Sequence, residues 1–173
     1  MTTGTLRSPR LDLLPLRVEH APEMAAVLAD PALHSFIGGS PASPEALRLR
    51  YERLVAGSPD PSVSWCNWVL GLRENARLVG TVQATVTGAT AEIAWVVGTP
   101  WQGRGYALEA ARALVAHLRN QPTLHTVIAH IHPDHHASEA VARAAGLTPT
   151  DKTRTDERRW HLPLTRPPEN HQP

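Results

Sequence analysis

Apolar and polar positions change rhythm along the chain, and each rhythm predicts an element. Residues 11–16 place Leu11 and Leu13 on one side of a first strand. Residues 22–29 predict a helix, with Pro22 near its first position, where a missing N–H costs nothing, and Asp30-Pro31 at its end. Residues 32–43 read as turns. Residues 44–56 predict a second helix on a Leu47, Leu54 and Val55 stripe, stopped by Gly57-Ser58-Pro59-Asp60-Pro61. The stretches 67–72, 78–87 and 91–98 are rich in Val, Thr, Trp or Ile and are separated by turn residues, which predicts an antiparallel meander. Leu108, Ala111, Leu114, Val115 and Leu118 recur at helical spacing and predict a helix over 106–119. Residues 125–132 read as a strand, 137–145 as a short helix closed by Gly146, and 147–162 as one or two final strands. This order predicts an α+β fold, with helices packed on a mixed, largely antiparallel sheet.

Composition narrows the class. A chain of 173 residues suits one domain, placed at 8–165, with 1–7 and 166–173 expected to be disordered. A net charge of +1, with basic residues scattered, argues against nucleic acid or anionic membrane as partner. Cys66 is the only cysteine, so no intrachain disulfide forms and a reducing cytoplasm fits. Between Trp65 and Asn67 it reads as a small packing residue rather than a nucleophile. The first ten residues lack the apolar core of a signal peptide, and no apolar run approaches the ~20 residues that span a bilayer.

The candidate chemistry lies in Gln102-Gly103-Arg104-Gly105-Tyr106-Ala107, where a strand runs through two glycines into the strongest helix. Unpaired N–H groups at a helix start suit a pyrophosphate. Gly103 and Gly105 let the backbone approach an anion, and Arg104 offers it a charge. A dinucleotide fold needs three spaced glycines early in a parallel unit, and a P-loop needs Gly-Lys-Ser/Thr; both are missing here.

Gln102-x-x-Gly105-x-Ala107, with Val97 five residues before Gln102, resembles the acetyl-CoA signature of the GNAT superfamily of N-acetyltransferases. His132-Pro133-Asp134-His135-His136-Ala137-Ser138, followed by a short helix ending Ala145-Gly146-Leu147, resembles its second signature. The stretch from Ser8-Pro9-Arg10-Leu11 to Asp30-Pro31 is similar to the branch that acetylates ribosomal-protein N-termini. The resemblance implies a three-layer α/β/α fold, acetyl-CoA as cosubstrate, and direct attack of a primary amine on the thioester. The acceptor is then a peptide N-terminus or a small-molecule amine, and homodimers are common in the family. Backbone groups of Trp95, Val96 and Val97 are implied to meet the pantetheine or the thioester carbonyl, in a gap where the strand before the loop splays from the next.

The resemblance also assigns catalytic roles. Many members carry a Tyr acid where this chain has Ala142; Ser138 matches the Ser that the ribosomal-protein branch places near the sulfur, and it also suits a helix N-cap. Glu92 stands where several members carry a catalytic Glu and is the candidate base. His135 replaces the usual Asn and keeps one donor and one acceptor near the pantetheine. His130, His132, His135 and His136 with Asp134 invite a metal reading, but two share a strand face and two lie in a loop, so no metal is assigned; a His acting as base in place of Glu92 is the better alternative. Trp95 is placed beside the acceptor site and Trp101 over the loop. Loss of the Tyr and Asn positions leaves a second class open, a non-catalytic acyl-CoA-binding regulatory protein.

Overall fold

The computed structural model describes residues 3–164. The expectations for residues 1–2 and 166–173 lie outside the described residues.

Among the described residues, eight strands form one sheet: β1 (Leu6–Arg7), β2 (Leu11–Pro15), β3 (Val63–Leu72), β4 (Leu78–Thr87), β5 (Thr90–Val97), β6 (Thr126–Ile131), β7 (Thr148–Arg154) and β8 (Glu157–Pro163). Their order is β1-β2-β3-β4-β5-β6-β8-β7. Every neighbouring pair is antiparallel except β5 and β6. The helices are α1 (Ala21–Val27), α2 (His34–Ile37), α3 (Pro44–Ala56), α4 (Tyr106–Arg119) and α5 (His136–Ala144).

Period-two alternation sends the strand side chains to two separate cores. Leu11, Leu13, Trp68, Leu70, Val82, Ile93 and Val127 pack with Leu114 and Leu118 of α4 and Ala142 of α5. Val69 and Leu78 face the other way, onto Met24 of α1 and Leu47 and Tyr51 of α3. The molecule is therefore three-layered, with α1 and α3 over one face of the sheet and α4 and α5 over the other. Among the described residues no helix is long and apolar enough to cross a membrane.

The structure departs from the sequence reading in three places. Leu6–Arg7, read as loose, pairs with Asp12 and Leu13, and Trp68 Nε1 donates to Gly4 O, so burial of an indole anchors this segment. Residues 32–43 contain the short helix α2. Strand β3 starts at Val63 rather than at 67, because the ten-residue β4 offers Thr87 to Ala84 as partners for Val63 to Cys66.

Candidate active site

Strands β5 and β6 pair over Thr90–Thr126, Ala91–Val127 and Glu92–Ile128 and then part. Among the described residues, 93–97 of β5 have no partner strand on that side, so a wedge opens whose apex is Glu92 and whose mouth is the loop before α4. Gly98 N–H donates to Val79 O at 2.8 Å. In an antiparallel ladder this fixes the alternation: backbone groups of Val96 turn toward β4, and those of Trp95 and Val97 turn into the wedge. A Cβ built on Gly80 of β4 would collide with Val96 O, which agrees. Of the three residues expected to offer backbone groups, Val96 is therefore corrected, because the ladder already engages it. Trp95 packs against the core under α4 and also lines the cavity described below. Trp101 does close over the loop, its Cε3 lying 3.0 Å from where a Gly98 Cβ would be.

At the mouth, Gln102 Nε2 donates to Val97 O at 3.0 Å. The five-residue spacing from Val97 to Gln102 thus has a local cause: the Gln102 side chain closes the loop onto the strand end. Gly103 and Gly105 both have left-handed backbones, with φ of 73° and 82°. Gly105 is the N-cap of α4 and supplies no side-chain acceptor, so the amides of Tyr106 and Ala107 remain open. Among the described residues, the amides of Gly103, Arg104 and Gly105 meet no backbone acceptor either, and the Arg104 guanidinium has no ion pair.

One brace of the loop was not read from the sequence. Arg10 Nη1 donates to Arg104 O at 2.9 Å, its Nε reaches Glu109 Oε2 at 2.8 Å, and its guanidinium lies 4.5 Å from the Tyr106 ring centroid. Glu109 Oε1 also accepts from Ser8 Oγ at 2.6 Å and from the Arg10 N–H at 2.7 Å. Burial pushes the Glu109 carboxyl up, but the Ser8 and Arg10 hydrogen bonds together outweigh it and hold it below its usual range. The Ser8-Pro9-Arg10 stretch was the available signal; its partner, about a hundred residues away, was not.

Across the wedge, His135 caps α5. Its Nδ1 accepts from the Ser138 N–H at 3.4 Å, and its Nε2 lies 3.0 Å from Ser138 Oγ. The cap is therefore His135, and Ser138 is the third residue of the helix; the N-cap reading of Ser138 is corrected. The pair also fixes protons. Nδ1 accepts, so a neutral His135 carries its hydrogen on Nε2 and donates it to Ser138 Oγ, leaving the Ser138 O–H free to donate elsewhere. Burial, with repulsion from His132 and His136, lowers the His135 pKa and favours that neutral form. The Phe36 ring of α2 stacks on His135 at 4.3 Å between centroids. Ala142 is fully buried in the core, so the position of a family Tyr is closed off.

At the apex, Glu92 has both oxygens engaged. Arg154 donates to Oε1 at 2.7 Å and to Oε2 at 3.2 Å, and His130 Nδ1 lies 3.0 Å from Oε1. Burial pushes the carboxyl up, but the hydrogen bonds and charges of Arg154 and His130 outweigh it and lower its pKa. A carboxylate held this way is a weak proton acceptor. Among the described residues no three His, Cys, Asp or Glu side chains gather as a metal site would require.

A cavity of ≈ 450 Å³ joins these parts on the α1/α3 face; Asn67, Thr81 and Gln83 line it together with Glu92, His130 and Ser138.

A splayed strand pair leading to an unobstructed helix N-terminus defines an acyltransferase architecture. The family model described as an acetyltransferase (GNAT) domain matches residues 10–148, and the chain belongs to that family. No curated protein matches significantly. Among solved structures, a GNAT-family acetyltransferase from Bacillus anthracis is 19% identical, with a TM-score of 0.77 over 93% of this chain and 99% of that one. An acetyltransferase from Salmonella typhimurium that modifies the N-terminal serine of a 50S ribosomal subunit protein is 15% identical, with a TM-score of 0.76 over 92% and 99%. A spermidine N-acetyltransferase from Vibrio cholerae, in complex with CoA and spermine, is 15% identical, with a TM-score of 0.73 over 90% and 96%.

Proposed function

We propose that this protein transfers the acetyl group of acetyl-CoA directly to a primary amine. The observation that carries the reading is the wedge between β5 and β6, which leads from the apex at Glu92 to the open amides at the start of α4. In this reading the pyrophosphate rests on the amides of residues 103–107, with Arg104 beside it. Pantetheine lies in the wedge against the backbone of Trp95 and Val97. The thioester then sits near the apex, the amine enters from the cavity, and both reactants are held for one direct step. Ser138 donates its free O–H to the departing thiolate, which His135 makes available by donating to Oγ. Intact Ser138 geometry favours turnover over passive acyl-CoA binding.

The cavity wall indicates the acceptor. Its two carboxylates, Glu92 and Glu157, both lie against Arg154, at 2.7 and 3.8 Å. The wall also carries the Arg50 cation, which disfavours a polycation further, while Asn67, Thr81 and Gln83 offer uncharged groups that suit amide hydrogen bonding. A polycationic acceptor needs unpaired carboxylates, so a peptide N-terminus or a neutral small amine fits better than a polyamine. A peptide α-amine, with pKa near ~7.7–8.0, also supplies a useful neutral fraction. Thiol release from acetyl-CoA, measured with a peptide panel and with spermidine, tests this. Higher kcat/KM on peptides is expected; preference for spermidine contradicts the acceptor assignment.

A further inference from the structure

Glu92 is the carboxylate at the apex, yet its oxygens are committed to Arg154 and His130. The group with a free lone pair is the imidazole beside it. An ionised carboxylate only accepts, so His130 Nδ1 must carry the hydrogen of the 3.0 Å contact. The neutral ring then has its lone pair on Nε2. That atom meets no protein donor among the described residues, is not sealed from solvent, and belongs to a residue lining the acceptor cavity. His130 stands on β6 just beyond the last pair of the parallel ladder, Glu92–Ile128, where the wedge begins. Its side chain is 9% exposed, so its orientation is held by packing as well as by Glu92.

Resting on the acetyl-transfer reading above, we infer that His130 is the catalytic base that takes the proton of the acceptor amine, and that Glu92 is its positioning residue. The amine nitrogen forms a bond to the thioester carbon, and the proton it sheds goes to His130 Nε2. The carbon–sulfur bond then breaks, and the thiolate leaves hydrogen-bonded to the Ser138 hydroxyl and takes a proton from solvent. The imidazolium returns its proton to solvent, so atoms and charge balance. Glu92 stabilises the imidazolium and keeps Nδ1 as the donor. The charged and titratable groups around the ring are Glu92 on β5, Arg154 on β7 and Arg159 opposite it on β8, with His132 just past the end of β6 and His34, Arg50, His135 and Glu157 in the same cavity. Arg154 does not cancel the arrangement, because its charge is matched by Glu92 in a two-bonded pair.

The test is the pH profile of kcat and KM for a peptide α-amine, on wild type, His130→Gln and Glu92→Gln, with acetyl-CoA binding measured on each as a folding control. His130→Gln is expected to lower kcat about 10²-fold near neutrality, with KM for acetyl-CoA unchanged. The deficit should narrow as pH rises and the amine loses its proton unaided. Glu92→Gln should lose about tenfold in kcat with KM for acetyl-CoA unchanged, because an imidazolium loses its neighbouring carboxylate. His130→Gln at wild-type kcat near neutrality overturns the proposal, as does a deficit that is the same at every pH. A fall for Glu92→Gln without one for His130→Gln returns the base role to Glu92. If wild type binds acetyl-CoA but acetylates no amine, the transfer reading itself fails, an outcome separable from loss in one variant.

Discussion

The two ends of the wedge are built from different materials. The mouth is made of backbone: two left-handed glycines, open amides at the start of α4, and a glutamine that closes the loop onto its own strand. The apex is made of side chains brought from β5, β6 and β7, in which Glu92, His130 and Arg154 meet across 38 and 62 residues of sequence. The mouth suits a ligand part that is always the same anion, and it needs few particular side chains. The apex must hold a proton at one atom, so it depends on which partner each side chain finds. Substitutions at the apex should act on rate, and substitutions at the mouth on affinity or stability.

The largest rate effect away from Glu92 and His130 is expected at Ser138. Ser138→Ala should lower kcat about 10²-fold with acetyl-CoA affinity nearly unchanged, measured by steady-state kinetics beside calorimetry. Equal losses in kcat and affinity would blur the contrast between the two ends. A smaller effect sharpens it at His135. His135→Ala removes both the cap of α5 and the donor to Ser138 Oγ, so about tenfold in kcat and about 1 kcal/mol of stability should go together. His135→Asn keeps the cap and should restore the stability in a denaturant titration.

The smallest effect belongs to the brace behind the mouth. Glu109→Gln should leave kcat intact and lower stability at neutral pH by about 1–2 kcal/mol, since it weakens a charge-assisted cluster with Ser8 and Arg10. The Glu109 pKa is depressed in the fold, so its contribution is present above the unfolded carboxyl value and is lost as pH falls through the folded one. The melting temperatures of wild type and Glu109→Gln should therefore converge on acidification, from about pH 5 downward. A constant difference across that window would place the stabilisation elsewhere.

This division also explains what could be read from the sequence. The meander, the helix over 106–119 and the glycine loop were legible because each is specified by neighbours within a few residues. Gln102 and Val97 were legible as a spacing, and the structure supplies its cause. Segment Leu6–Arg7 was missed because its stability comes from β2 and from the Trp68 indole, not from its own polar composition. Glu92 was legible as a carboxylate in the right place. Its Arg154 and His130 partners were not, and by engaging both carboxylate oxygens they weaken it as a proton acceptor. Ser138 looked like a cap because Ser commonly caps; only the fold shows that His135 takes that place.

Titration of acetyl-CoA into wild type and Gly103→Asp by calorimetry tests the central claim most directly. Gly103 has φ of 73° and no atom within 4 Å of where a Cβ would stand, so Asp, which tolerates that backbone, should leave the fold intact while setting a negative charge beside the open amides. The account predicts that wild type binds at a single site and that Gly103→Asp, still fully folded at the titration temperature despite the strain of a side chain at positive φ, binds at least about tenfold more weakly. Equal binding by both proteins would contradict it, and would mean that the start of α4 does not hold the pyrophosphate.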